Sequence, residues 1–269
     1  MSPILFNIYV DELIQSLSLS GYGCFVGKTF FGCIMYADDL LLLSPSLHGL
    51  QAMLDICSVY ADCDNLVFNP NKTTCSVVGK NRFSVSEVCL DKQVIQWHEQ
   101  FKYLGVSFTC DEELVVDIAA VRRRFYVACN SIISRSHGVV DPVRVHLIKS
   151  FCLPLLVYCV GALRLKHSAI QQLSICWNDA FRRIFNYKRS ESVKSLQVNF
   201  GTLDFQHLYD LHRWKFLQTV GSKSMYWANF VKITDLQYHV CIDLADTYFQ
   251  DSRQMSFANA VYCHCRNLV

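Results

Sequence analysis

The stretch Cys33-Ile34-Met35-Tyr36-Ala37-Asp38-Asp39-Leu40-Leu41-Leu42-Leu43 sets two adjacent carboxylates between two apolar runs. Short apolar runs bounded by turn signals read as buried strands, and a charged pair between them must reach solvent, so the chain has to reverse there. The simplest solution is a tight β-hairpin with Asp38 and Asp39 at its tip, anchored in a sheet by Ile34, Met35 and Leu40 to Leu43. Carboxylates on so rigid a base suit a hard divalent cation such as Mg²⁺. Asp is equally at home in turns that bind nothing, where it bonds its own backbone, so spacing alone leaves both readings open.

Ser2-Pro3 reads as a helix start, followed by Ile4, Leu5, Ile8, Leu13, Ile14 and Leu17 at helical spacing, with Asp11 and Glu12 on the solvated side. Phe25-Val26 and Phe30-Phe31 form a short hairpin around Gly27-Lys28. Ser46 can cap a helix carrying Leu47, Leu50, Met53, Leu54, Cys57 and Tyr60 on one face. Leu66 to Phe68, Thr73 to Val78, Val88 to Leu90, Val94 to Trp97 and Phe101 to Phe108 read as strands, with a turn at 69–72. From Asp111 the period becomes helical. Arg122-Arg123-Arg124 lies on a first long helix, Asp141-Pro142 starts a second whose buried part is Phe151 to Leu163, and Trp177, Phe181 and Phe185 mark the core of a third. An amphipathic helix with Leu208, Leu211, Trp214 and Leu217 follows Gly201. The expected fold class is α+β: an antiparallel sheet packed on helices over 1–110, an all-helical region over 111–200 and a helical extension over 201–269.

Net charge is uninformative as a total and informative by position. Residues 1–121 carry 6 Lys+Arg against 14 Asp+Glu, residues 122–194 carry 13 against 3, and the remainder carries 6 of each. An acidic first part and a basic middle suit a metal site beside a surface that binds polyphosphate, although solvated helix faces are also basic without any ligand. The 14 cysteines have irregular spacing and no CxxC pair, and the chain opens without a signal peptide, so reduced and mostly buried thiols in an intracellular protein are expected. Cys263-His264-Cys265 is a cluster by adjacency only. Phe151 to Leu163 is too short to cross a bilayer and contains Pro154, so no membrane is implied.

Tyr36-Ala37-Asp38-Asp39 followed by four leucines resembles the signature hairpin of reverse transcriptases of non-LTR (LINE-type) retrotransposons. The neighbours agree in order. Ser2 to Leu13 resembles the end of that family's motif B helix, Asn69, Asn71 and Lys72 resemble motif D, and Phe101-Lys102-Tyr103-Leu104-Gly105 resembles the motif E hairpin. The helices from 111 resemble the thumb, and Trp177 to Val193 a segment that follows it.

The resemblance implies a partial palm over 1–110, a thumb over 111–200 and an RNA-directed DNA polymerase. Such an enzyme extends a DNA primer on an RNA template with deoxynucleoside triphosphates and Mg²⁺, or Mn²⁺ in its place, in an element whose family works in the nucleus. Asp38 and Asp39 would be the metal ligands. Lys72 would assist the departing pyrophosphate, and residues Phe101, Lys102, Tyr103, Leu104 and Gly105 would grip the primer. Arg122, Arg123, Arg124, Arg135, Lys149, Arg164, Lys166, Arg182 and Arg183 would contact phosphates. The family's motif A aspartate and the Gln-Gly pair of motif B have no counterpart here. Two-metal chemistry needs carboxylates from both strands, so the expectation is an inactive fragment with an exposed sheet edge that depends on the N-terminal part of a polymerase. A non-catalytic nucleic-acid-binding remnant and an inert degenerate fragment are the alternatives.

Overall fold

The computed structural model describes residues 3–64, 66–80 and 86–223, together with residues 244 and 247. The fold is α+β, and the chain divides into two compact units, Met1–Val116 and Asp117–Val269.

The first unit is built on two helices, α1 (Pro3–Leu19) and α2 (Leu47–Asp64). Val10, Leu13 and Leu17 are buried on α1, whereas Ile8, expected on the apolar side, faces solvent. The Ser2 cap lies outside the described residues. Ser46 caps α2 as expected, its Oγ accepting from the Gly49 N–H at 3.1 Å. α2 presents two apolar edges. Met53 and Cys57 meet Leu13 and Leu17 of α1, while Leu54 meets Val88, Leu90 and Ile95.

Among the described residues the strands form four small antiparallel sheets rather than one continuous sheet. They are the pair β1 (Phe25–Val26) and β2 (Thr29–Phe30), the pair β3 (Cys33–Tyr36) and β4 (Asp39–Leu42), the pair β5 (Val88–Leu90) and β6 (Gln93–Ile95), and a three-stranded sheet of β7 (Gln100–Tyr103), β8 (Val106–Cys110) and β9 (Leu114–Val116). Two expected strands are absent among the described residues. Leu66 to Phe68 finds no partner strand there, its Val67 being 91% exposed, and Thr73 to Val78 contributes only an isolated bridge from Cys75 to Trp97. Helical structure begins later than Asp111, because Leu114 to Val116 pairs with β8. Gly105 is not inside a strand. It sits with Leu104 in the β7–β8 turn at φ +81° and +46°, the signs that a two-residue hairpin loop demands.

The second unit is helical: α3 (Ile118–Arg135), α4 (Asp141–Leu147), a π turn (Ile148–Cys152), α5 (Leu153–Val157), α6 (His167–Phe185), α7 (Lys194–Asn199) and α8 (Phe205–Lys223). Asp117 caps α3 through a 3.1 Å bond from the Ala120 N–H. Phe125, Trp177, Phe181 and Phe205 are at most 1% exposed in one core, so the first turns of α8 belong to the same packing as α3 and α6. Trp177 and Phe181 are core residues, as expected, and Phe185 is half-buried against that core. Phe151 to Leu163 is not a buried helix: Phe151 and Tyr158 are 63% and 55% exposed, and the helix ends at Val157. Pro154 has no N–H to continue the α ladder, and the wider turn just before it absorbs that break, with the Leu153 N–H bonding the Ile148 carbonyl.

Candidate functional site

The β3–β4 hairpin forms as its sequence predicts, with one adjustment at the tip. Tyr36 pairs with Asp39, so the two-residue turn is Ala37-Asp38 and Asp39 is the first residue of β4. Directly paired residues point to one side of a hairpin. Cys33, Leu40 and Leu42 pack on the α1–α2 core, which leaves Ile34, Tyr36, Asp39 and Leu41 on the opposite face. Ala37 takes φ +52°, a conformation that costs an L-residue on the order of 1 kcal/mol. Both carboxylates are exposed, and neither has a basic partner among the described residues.

The β7–β8 hairpin brings a second group toward this tip. Phe101 and Phe108 stack at 5.3 Å, and Tyr103 shares their face. The Tyr103 hydroxyl is buried and finds no hydrogen-bond partner among the described residues. Its pKa is raised first by burial, then by the Asp39 carboxylate and Cys33. An unsatisfied donor in the field of a carboxylate was not legible in the sequence, because burial of one hydroxyl depends on the neighbouring hairpin. Lys102 is exposed.

Lys72 stands on an exposed turn organised by Asn69. The Asn69 carbonyl accepts from the Lys72 and Thr73 N–H groups, and its Oδ1 accepts from the Asn71 N–H at 3.0 Å. Among the described residues no group of three His, Cys, Asp or Glu side chains could hold a metal ion. Asp38 and Asp39 thus fit a hard divalent cation in kind, as oxygen donors on an exposed tip, and would supply part of its shell, the rest falling to water and phosphate oxygens.

The basic candidates of the second unit separate into two sets. Lys149 donates to the Phe200 and Gly201 carbonyls at the end of α7, and Arg182 binds Asp179 at 3.0 Å and the Glu191 carbonyl. Arg122 bonds Gln172 at 3.0 Å, and Arg183 lies 5.2 Å over the Tyr126 ring while bonding Asn130. Tyr126 in turn donates to Asp179 at 2.9 Å. These contacts rise together along both helices, so α3 and α6 run in the same direction with a polar seam between them. Arg123, Arg124, Arg135, Arg164 and Lys166 are exposed.

The described cysteines are free thiols, and Cys63 is the exposed one among them. Burial pushes Cys33 and Cys75 up to about 11 and Cys57 up to about 12, so these thiols stay protonated and unreactive. The pair Cys263 and Cys265 lies outside the described residues. No helix among the described residues is long and apolar enough to cross a membrane.

Comparison with known proteins bears on the first unit. Residues 1–108 match the reverse transcriptase (RNA-dependent DNA polymerase) family. The Retrovirus-related Pol polyprotein from type-2 retrotransposable element R2DM of Drosophila melanogaster is 33% identical over 122 residues, covering 40% of this chain and 11% of that protein. The corresponding polyprotein from type-1 retrotransposable element R2 of Nasonia vitripennis is 29% identical over 118 residues, again 40% of this chain and 11% of the relative. The matched part of the chain thus spans about a tenth of the length of these curated relatives.

Proposed function

We propose that the first unit, whose residues 1–108 match the reverse transcriptase family, is part of the palm of an RNA-directed DNA polymerase from a non-LTR retrotransposable element. The observation that carries this reading is the β3–β4 tip. Asp38 and Asp39 stand exposed and unpaired on a hairpin whose other face is fixed to the α1–α2 core, inside the matched residues.

In this reading Asp38 and Asp39 hold Mg²⁺, or Mn²⁺ in its place. The bound cation supplies charge neutralisation for phosphoryl transfer from a deoxynucleoside triphosphate to a primer end. The strained Ala37 turn and the Tyr36–Asp39 pairing fix where the two carboxylates stand. Lys72 places a cation on a preformed turn, suited to meeting a departing pyrophosphate. The stacked face of Phe101, Tyr103 and Phe108 makes the β7–β8 hairpin stiff enough to position a primer strand, while Lys102 offers it a phosphate contact.

Two carboxylates are half of a two-metal site. A further carboxylate has to come from residues outside those described, and in this reading the chain by itself does not polymerise. Primer extension with Mg²⁺ on an RNA template tests this. The chain alone gives no product, and an assembly that supplies the missing carboxylate gives product that Asp38→Ala abolishes. Synthesis by the chain alone that depends on Asp38 would overturn the requirement for a partner. Synthesis by the assembly that survives Asp38→Ala would overturn the site.

A second reading is favoured by the exposed arginines of α3. Arg123, Arg124 and Arg135 have no carboxylate partner among the described residues and form a face suited to phosphates without sequence preference. As a nucleic-acid-binding remnant, the second unit retains salt-sensitive binding after loss of both aspartates. Absence of that binding would leave the fragment inert.

A further inference from the structure

Among the described residues, the Tyr103 hydroxyl is shut away from water and makes no hydrogen bond. Arg122, Arg144 and Gln197 also bury an unpaired polar atom, but each bonds through another atom of the same side chain. Tyr103 has a single polar atom, so nothing on its side chain offsets the water that atom has lost. A buried donor without a partner is costly, and a ligand state that supplies the partner is one reason for a fold to retain it.

The ring that carries this hydroxyl has a fixed seat. Tyr103 pairs with the buried Val106 across the Leu104-Gly105 turn, and the stacked rings of Phe101 and Phe108 lie on the same face of the hairpin. After burial, the groups that hold the phenol's proton are the Asp39 carboxylate and then Cys33. These two are unequal as acceptors. The Cys33 thiol packs against the α1–α2 core and is kept protonated by burial, and a neutral sulfur accepts weakly. Asp39 is an exposed carboxylate with two acceptor oxygens and no basic partner among the described residues. A hydroxyl makes its stronger bond to the charged acceptor.

On the reading of Asp38 and Asp39 as metal ligands, on which this role rests, we propose that Tyr103 is a positioning residue whose hydroxyl donates to one Asp39 oxygen while the other is given to the cation. In the metal-free chain Asp39 turns both oxygens to water, and the hydroxyl stays unpaired. With one oxygen committed to a cation, the other becomes the acceptor that the hydroxyl lacks. The bond ties the β7–β8 hairpin to the β3–β4 tip through a single side chain. Partners one step removed from a metal orient its ligand and set its affinity, so the hydroxyl acts on binding without touching the ion.

Mn²⁺ titration of the full chain, followed by the electron paramagnetic resonance signal of the free ion, tests it. Tyr103→Phe deletes the hydroxyl alone and weakens Mn²⁺ binding about 10-fold. Thermal melts by circular dichroism separate this from a structural role. Without metal, Tyr103→Phe melts at the same temperature as the unmodified chain or higher, since an unpaired hydroxyl stabilises nothing. With Mn²⁺ present, the variant gains less in melting temperature than the unmodified chain does. In chain labelled with meta-fluorotyrosine, the fluorine resonance that Tyr103→Phe removes shifts when Mg²⁺ is added. Equal Mn²⁺ affinity with and without the hydroxyl overturns the proposal and leaves the metal site standing, as does a Tyr103 resonance that Mg²⁺ leaves in place while Mn²⁺ binds. A lower metal-free melting temperature for Tyr103→Phe overturns it too, by showing that the hydroxyl already has a partner. Mn²⁺ binding that is absent, or that Asp38→Ala does not weaken, overturns the metal site itself and this role with it.

Discussion

At the β3–β4 tip, Asp38 and Asp39 stand in solvent without a basic partner among the described residues, on a support made of leucines and a short turn. Along the α3–α6 seam, Asp179 is held by Tyr126 at 2.9 Å and Arg182 at 3.0 Å, and Arg183 lies over the Tyr126 ring. The hairpin keeps its charge available and draws its stability from apolar packing alone. The seam uses its charge internally and leaves little of it for a ligand. Availability is thus set by partners, so counting charged residues along a segment overstates how many can act.

The largest test of this contrast is Asp179→Ala. It strands a partly buried tyrosine hydroxyl and a guanidinium, and is expected to cost about 2–3 kcal/mol in urea denaturation. A cost within experimental error would mean that the seam is ornamental, and the comparison fails. Gln51→Ala comes next. The Gln51 side chain pairs with Cys89 in both directions, Nε2 donating to the carbonyl at 3.0 Å and Oε1 accepting from the N–H at 2.8 Å. Its loss should cost about 1–2 kcal/mol in the first unit, leaving the second unit's transition in place.

Ala37→Gly works in the opposite sense. Removing the Cβ from a residue at φ +52° should relieve about 1 kcal/mol, less the extra freedom glycine gains in the unfolded chain. A clear loss of stability on that substitution would show that the turn is unstrained.

Mild acid separates the units further. His212 is lowered by burial and by Lys215, so its stabilising effect is complete above its unfolded value near ~6.5 and is lost as pH falls through the folded one. Asp204 is pushed up by burial, but bonds from the His207 side chain and N–H outweigh this and leave it lowered. Its effect is therefore complete above ~3.9 and disappears at lower pH. Fluorescence of the buried Trp177 should report loosening of the second unit as pH drops below about 6.5, with His212→Gln flattening the first step. The smallest effect is expected for Asp38→Ala, whose melting temperature should match the unmodified chain while Mn²⁺ binding is lost. A large drop in stability would place Asp38 among the structural carboxylates instead.

The hairpin was legible in the sequence because a charged pair inside apolar strands admits few arrangements, and α2 because Ser46 announces its start. Trp177 and Phe181 were legible as core from their spacing. The π turn was not, since periodicity describes composition around a regular helix and cannot register an extra residue per turn. β9 was missed because Leu114-Val115-Val116, though rich in β-branched residues, is too short a run to declare a strand until β8 is beside it. Lys149 and Arg182 read as phosphate ligands because a cation's partner is a backbone carbonyl or a carboxylate brought close only by the fold.

The parallel course of α3 and α6 also bears on when the second unit can form. Its seam joins residues 50 to 53 positions apart, whereas each hairpin of the first unit closes over a handful of residues. Loop closure of that length slows folding. On a ribosome, α3 leaves the exit tunnel well before α6, and until α6 arrives its core face is covered only in part, by the π turn and α5. The first unit can be complete while the second still shows its apolar side, and that interval is when the chain is most exposed to aggregation and to chaperone capture.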